Sequence, residues 1–128
     1  MLKRIAVIND LSGFGRCSLT VALPILSAMG LECNPIPTAI LSNQTGYEDF
    51  YSVDFTPYLT PYIDVWKKQN VQFDAILTGY LGSEKQVDII LDFIEHLLSM
   101  FFHRPQALRL VQKCYTLYHL ICGRYILR

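Results

Sequence analysis

The chain has 128 residues, 52% hydrophobic and 17% charged, with eleven Lys/Arg against eleven Asp/Glu and a formal net charge of zero. That length suits one domain burying roughly two thirds of its unfolded surface, and the composition is that of a globular chain, not a disordered one. The neutral balance gives no electrostatic reason to expect nucleic acid or an anionic membrane as a partner.

No apolar run approaches the ~18 residues of a membrane span. The run behind Met1-Leu2-Lys3-Arg4 is only Ile5 to Ile8, too short for a signal peptide, so a cytoplasmic protein is expected. Cys17, Cys33, Cys114 and Cys122 show no CxxC spacing and form no ligand set with His96, His103 or His119. Free thiols, and no metal site, are expected from them.

In chain order, Lys3 to Ile8 reads as a short apolar strand. Leu19, Ala22, Leu23, Leu26 and Met29 then recur at helical steps, predicting a helix over 18–29. Ser18 is its candidate N-cap and Gly30 its stop, while Pro24 predicts a kink or a late start. Cys33 to Leu41 is the second strand, its early part confined by Pro35 and Pro37 to an edge or an irregular extension. Residues 48–56 are acidic and aromatic without a period. Thr56-Pro57 or Thr60-Pro61 opens a helix to about Asn70, and Phe73 to Leu77 forms the third strand. Ser83 and Gln86 make a capping box for a helix through about Leu98, with Val87, Ile90, Leu91, Ile94 and Leu98 as its apolar face. The alternation predicts a doubly wound, mostly parallel α/β fold.

Each strand runs into a polar, glycine-bearing loop: Asn9 to Gly15, Leu41 to Tyr47, and Thr78 to Ser83. In a parallel sheet such loops meet at the carboxyl ends of the strands, where ligands bind. Gly13-Phe14-Gly15-Arg16-Cys17-Ser18 matches a dinucleotide fingerprint at two of its three glycines, and no acidic residue follows the second strand to hold a ribose. A tight strand-to-helix turn accounts for both glycines. No Gly-Lys-Ser/Thr of a phosphate loop occurs. Ser42, Asn43, Gln44 and Thr45 beside Tyr47, with Tyr80 in the third loop, are turn residues on a bland reading. As a binding set, neutral donors and acceptors beside aromatics suit a small, planar, polar heteroaromatic ligand.

The segments Asn9-Asp10-Leu11-Ser12-Gly13-Phe14-Gly15, Leu41-Ser42-Asn43-Gln44-Thr45-Gly46-Tyr47 and Asp74-Ala75-Ile76-Leu77-Thr78-Gly79-Tyr80-Leu81-Gly82-Ser83 resemble the pyridoxal/pyridoxamine kinases of the ribokinase superfamily. The resemblance covers residues 1 to about 97. It implies a ribokinase-like three-layer αβα fold, here incomplete, and ATP-dependent phosphorylation of the 5′-hydroxyl of pyridoxal, pyridoxamine or pyridoxine. On it, Thr45 matches a threonine contacting the vitamin ring, and Ser42, Asn43 and Tyr47 match the surrounding motif. Tyr80 matches a tyrosine on the phosphate-transfer side of the pocket. Asp10 stands where many members have a serine bonded to the pyridine ring. Hydroxymethylpyrimidine kinases share the fold and bind a similar ring.

The resemblance also implies ATP and Mg²⁺ as cofactors, a B6 vitamer as partner and a homodimer. Its catalytic elements lie further along the family's chains: an Asp-Pro-Val-Met-Gly-like stretch and a Gly-Thr-Gly-Asp loop supplying the general base. Neither occurs in residues 97–128, so no catalytic residue is assigned. Every carboxylate lies at or before Glu95, whereas the last 32 residues carry Arg104, Arg109, Lys113, Arg124 and Arg128. Residues 98–128 therefore read as a basic tail foreign to the family, helical in spacing and best explained by a change of reading frame or truncation. A kinase fragment with little activity is expected, the alternative being a non-catalytic vitamin-binding or interaction remnant.

Overall fold

A computed structural model describes residues 2–101 of the chain. The helix expected in the tail, along with Cys114 and Cys122, lies outside them. The elements in order are β1 (Lys3–Phe14), α1 (Ser18–Ala28), β2 (Leu31–Asn43), β3 (Ser52–Asp54), α2 (Thr56–Lys68), β4 (Ala75–Thr78) and α3 (Glu84–Phe101). They form one sheet in the order β3-β2-β1-β4. β1 is parallel to β2 and to β4, and β3 pairs antiparallel with β2.

Helices cover both faces of this sheet. Ala6 and Ile8 of β1 and Ile36 of β2 join Leu59 and Ile63 of α2 and Ile90, Phe93 and Leu97 of α3 in one buried cluster. Val7 points the opposite way by strand alternation, toward the layer of α1, which packs on β1 and β2 and buries Leu19. The mixed, mostly parallel α/β arrangement expected from the sequence is the one found. Within the main cluster, aromatic rings follow one another from α2 to α3. Trp66 lies 5.3 Å from Phe73, and Phe73 meets Phe93 edge-on at 6.2 Å. Tyr62 adds a 5.3 Å contact to Trp66 and donates its hydroxyl to the Pro35 carbonyl at 2.8 Å, while burial pushes its pKa upward.

Several local expectations are revised. β1 does not end at Ile8, because its pairing with β2 carries it on to Phe14. The register slips between the pairs Asn9–Pro37 and Leu11–Ile40, so β2 gains a residue there, a bulge that re-aims the strand ends. The prolines of β2 behave as expected of an edge: Pro35 and Pro37 pair with β1 alone, since β3 reaches only Ala39–Leu41. Their missing N–H groups face the side without a neighbouring strand. β3 lies where no period was visible, because three exposed residues are too short to show one.

Helix ends differ too. α1 begins at Ser18 and runs through Pro24 without a late start. Its N-cap is the extended Cys17, whereas Ser18 sits at φ 51°, outside the extended region typical of an N-cap. Gly30 at φ 78° is the stop expected of it, but Met29 is exposed, off the apolar face assigned to it. α2 opens at Thr56-Pro57 and ends at Lys68, with Asn70 at φ 52° in the role usually given to glycine. On α3 the buried stripe is Gln86, Ile90, Phe93 and Leu97, leaving Val87 and Leu91 exposed. The bulky Phe93, drawn against Phe73, rotates the helix away from the face first assigned. No helix among the described residues is long and apolar enough to cross a membrane.

Asp54, at the entry to α2, accepts from the Thr56 hydroxyl (2.5 Å), the Thr56 N–H (2.9 Å) and Gln86 Nε2 (3.1 Å). The Thr56 hydroxyl foremost, these bonds hold its carboxyl below the ordinary value of 3.8. A lowered folded-state pKa gives stability that is complete above 3.8 and is lost as pH falls through the folded value. The group is exposed, so solvent screens the effect. Acidification from neutral to about pH 3 should lower the urea midpoint of the native chain more than that of Asp54→Asn. Identical pH profiles would show that the Asp54 bonds contribute nothing.

Candidate functional site

β4 leaves the sheet at Thr78, opposite Ile8 of β1. Beyond that level β1 continues only with β2, as a two-stranded ribbon that β3 borders. The step between the long ribbon and the short β4 is a crevice at the carboxyl ends of the strands, the usual ligand position in such sheets. Its floor is the junction of Asn9 with residues 79–82.

Asn9 fixes that junction. Its Oδ1 accepts from the Tyr80 N–H at 2.8 Å and from the Asp10 N–H at 3.0 Å. The carboxamide packs so closely over Gly79 that a Cβ there would collide with it. Gly79→Ala should therefore displace Asn9 and release Tyr80, costing about 1–3 kcal/mol of stability in a urea titration. A variant within 0.5 kcal/mol of the native chain, inside the roughly neutral range of surface changes, would contradict this packing.

Asp10 is buried near the floor, 7% exposed, and takes the Ser12 hydroxyl on Oδ2 at 3.0 Å. Both residues lie in β1, not in the loop expected there. Two residues apart on a strand, they share a face. Tyr80 stands across the crevice, its main chain clamped and its side chain 55% exposed.

The second loop is folded by two of the residues first assigned to a ligand. Ser42 exchanges main-chain and side-chain bonds with Tyr51: its N–H donates to Tyr51 O and its Oγ accepts from the Tyr51 N–H, both at 2.8 Å. The Ser42 hydroxyl donates to Asn43 Oδ1 at 2.6 Å, and Asn43 Nδ2 donates to Asp49 O at 2.8 Å. These bonds close the 42–51 segment on itself. They leave Thr45 exposed at the tip, and Tyr47 is held against Phe14 with ring centroids 5.4 Å apart. Gly15 at φ 94° lies against the Gln44 side chain, so β1 and the loop meet with no room for a larger residue. Asp10 and Tyr80 thus line the crevice, Thr45 and Tyr47 lie on its ribbon side, and Ser42 and Asn43 shape the loop between.

Two polar residues at this end lie outside the family segments: Thr38 and Gln86. Thr38 and Gln86 are fully buried. Each is a polar side chain where the surrounding pattern calls for an apolar one, inside the run Ile36 to Leu41 and on the buried stripe of α3. That mismatch was the available signal. Gln86 also corrects the capping box: its N–H bonds to Ser83 Oγ at 3.3 Å, but its side chain turns inward and accepts from the Gly82 N–H at 2.8 Å. A groove of about 270 Å³ lies elsewhere, between α2 and α3, lined by Thr60, Ile63, Asp64, Lys67, Asp88, Ile89 and Asp92. It is bridged by the Lys67–Asp92 ion pair at 2.5 Å, which holds the Asp92 carboxyl below its usual range. Among the described residues, Cys17 and Cys33 are free thiols, and no group of three His, Cys, Asp or Glu is placed to hold a metal ion.

No protein-family model matches the chain. Solved structures do. A Bacteroides thetaiotaomicron protein assigned as a phosphomethylpyrimidine kinase, in a crystal form with pyridoxal, is 54% identical with a TM-score of 0.74 over 76% of this chain and 34% of its own. The pyridoxal kinase of Lactobacillus plantarum is 34% identical, with a TM-score of 0.71 over 74% of this chain and 34% of its own. The Leishmania donovani pyridoxal kinase, solved with ADP and pyridoxamine, shares the fold at a TM-score of 0.66 and 19% identity. The chain spans about a third of the length of these proteins. By its fold and by its identity over three quarters of its residues, it belongs with the ribokinase-like pyridoxal and phosphomethylpyrimidine kinases.

Proposed function

We propose that residues 1–97 are the vitamin-recognising portion of a kinase that phosphorylates the 5′-hydroxyl of pyridoxal, pyridoxamine or pyridoxine. The observation carrying this reading is that a protein 54% identical to the chain has been solved with pyridoxal. Asp10, Thr45, Tyr47 and Tyr80 contact the ring. Ser42 and Asn43 fold the loop that presents Thr45. A carboxylate, a hydroxyl and two phenols match a flat heteroaromatic with polar substituents, and the neutral side chains fit a substrate without phosphate.

ATP supplies the transferred phosphoryl group in this reading, with Mg²⁺ implied by the family resemblance; the Leishmania enzyme, which shares the fold, was solved with ADP. The described crevice offers hydroxyls, amides and one carboxylate, with no basic side chain bonded into it. That set suits the ring and not a triphosphate, so these residues are assigned binding and orientation, and no transfer step. The 128 residues assayed by themselves bind vitamer without converting it. A cytoplasmic location and a homodimer accompany the reading.

The name of the Bacteroides relative raises a second reading, an aminopyrimidine carrying a hydroxymethyl group as substrate. Calorimetric titration of the chain with pyridoxal, and separately with 4-amino-5-hydroxymethyl-2-methylpyrimidine, distinguishes the two. Tighter binding of pyridoxal is expected, and tighter binding of the pyrimidine would replace the vitamin reading. With ATP and Mg²⁺ present, no pyridoxal phosphate absorbance should develop. Steady product formation would overturn the assignment of binding alone.

A further inference from the structure

The Tyr80 side chain is exposed in the crevice, yet its peptide is held from both sides. Its N–H donates to Asn9 Oδ1 at 2.8 Å, and its carbonyl accepts from the Thr38 hydroxyl at 2.7 Å. Two residues on, the Gly82 N–H donates to Gln86 Oε1 at 2.8 Å. Gln86 Nε2 in turn reaches the Thr38 carbonyl and Thr56 Oγ1, both at 2.8 Å. The amide orientation of Gln86 follows from its partners, since a flip would set carbonyl against carbonyl at Thr38 and N–H against N–H at Gly82.

The bonds close a circuit from β1 through the 79–82 loop and α3 to β2 and back to the loop. It extends through Thr56 to Asp54, so the start of α2 is tied into the same network. Thr38 and Gln86 are both 0% exposed and cannot touch a ligand. Buried polar side chains of this kind are costly unless satisfied, and when satisfied they fix one arrangement of the elements they join.

We propose that Thr38 and Gln86 are positioning residues for the binding site: they lock the 79–82 loop so that the Tyr80 ring stands at a fixed distance from Asp10. The inference deepens the vitamin-binding reading and rests on it. The 79–82 loop is pinned at three points: the Tyr80 N–H by Asn9, the Tyr80 carbonyl by Thr38 and the Gly82 N–H by Gln86. Thr38 supplies the pin on the Tyr80 carbonyl. Removing its hydroxyl leaves the Tyr80 carbonyl without that donor and lets the loop move as a unit.

The test compares Thr38→Val, which keeps the shape and loses the donor, with Thr38→Ser, which keeps the donor. Pyridoxal affinity is measured by calorimetry well below the melting temperature, and amide exchange is followed at Tyr80 and Gly82. Ile63→Val, a change in the α2 core away from the crevice, controls for loss of stability alone. Thr38→Val should weaken pyridoxal binding roughly tenfold and speed exchange at both amides by about the same factor. Thr38→Ser should stay within about threefold of the native chain in both readouts. Ile63→Val should lower the melting temperature and leave the affinity unchanged. Gln86→Leu provides a second cut in the circuit and should speed exchange at Gly82. A Thr38→Val chain that melts earlier but binds pyridoxal as tightly as the native one would overturn the proposal. So would weakening by Ile63→Val equal to that by Thr38→Val. If the native chain binds no pyridoxal, the functional reading falls. In that event unchanged exchange in Thr38→Val removes the loop anchor as well, while accelerated exchange at Tyr80 and Gly82 upholds the anchor.

Discussion

Phe93→Ala is expected to remove about 3–5 kcal/mol from folding, a large share of the roughly 5–15 kcal/mol by which domains are stable. Phe93 is the largest fully buried side chain in the described core and is enclosed by rings. Phe73 meets it edge-on at 6.2 Å and Trp66 lies at 6.3 Å. Truncation forfeits the transfer of the ring from water, the aromatic contacts and the packing around it, because α2, α3 and the segment before β4 can collapse only partly into the gap. Phe93→Leu refills much of the volume and should cost less than half as much. Urea unfolding followed by Trp66 fluorescence measures both. A loss below about 1 kcal/mol for the alanine variant would mean that the site collapses freely, contrary to the packing seen between α2 and α3.

Asp10→Asn is expected to weaken pyridoxal binding about 10- to 100-fold, the range for losing a hydrogen bond to a charged group. The substitution keeps the shape and an acceptor for the Ser12 hydroxyl, so stability should change little. What it removes is the charge. One carboxylate oxygen is occupied by Ser12, and the other carries no hydrogen bond among the described residues. Within the proposed site that oxygen is the acceptor for a donor on the ligand ring. Calorimetry on both chains tests it, with melting curves to show that the variant is folded. Equal affinities would remove Asp10 from the ligand contacts.

The two predictions bear on parts of the molecule that were unequally legible in the sequence. The helices were readable from apolar residues recurring over several turns, as on α1 and α3, and from the Thr-Pro start of α2. Their ends were less so, since a proline within α1 and a serine at positive φ follow tertiary packing and not local preference. β3 and the outer half of β1 depend on pairing with β2, a long-range contact that leaves no period in three or six residues. At the site, the family motif singled out Asp10 and Tyr80, which the fold places at the crevice. The division of labour in the second loop was not legible, because Ser42 and Asn43 owe their role to Tyr51 and Asp49 across the turn. Thr38 and Gln86 were hidden for a related reason: each is unremarkable alone and matters through partners up to 48 residues away.

The claim that the crevice at the strand ends holds the vitamin ring is tested most directly by mapping pyridoxal onto assigned backbone amides. On titration, the amides of Asp10, Ser12, Thr45, Tyr47 and Tyr80 should shift together along one saturable curve, while those of Ile63, Asp88 and Asp92 at the α2–α3 groove stay still. Shifts gathered at that groove, or none anywhere at saturating pyridoxal, would contradict it.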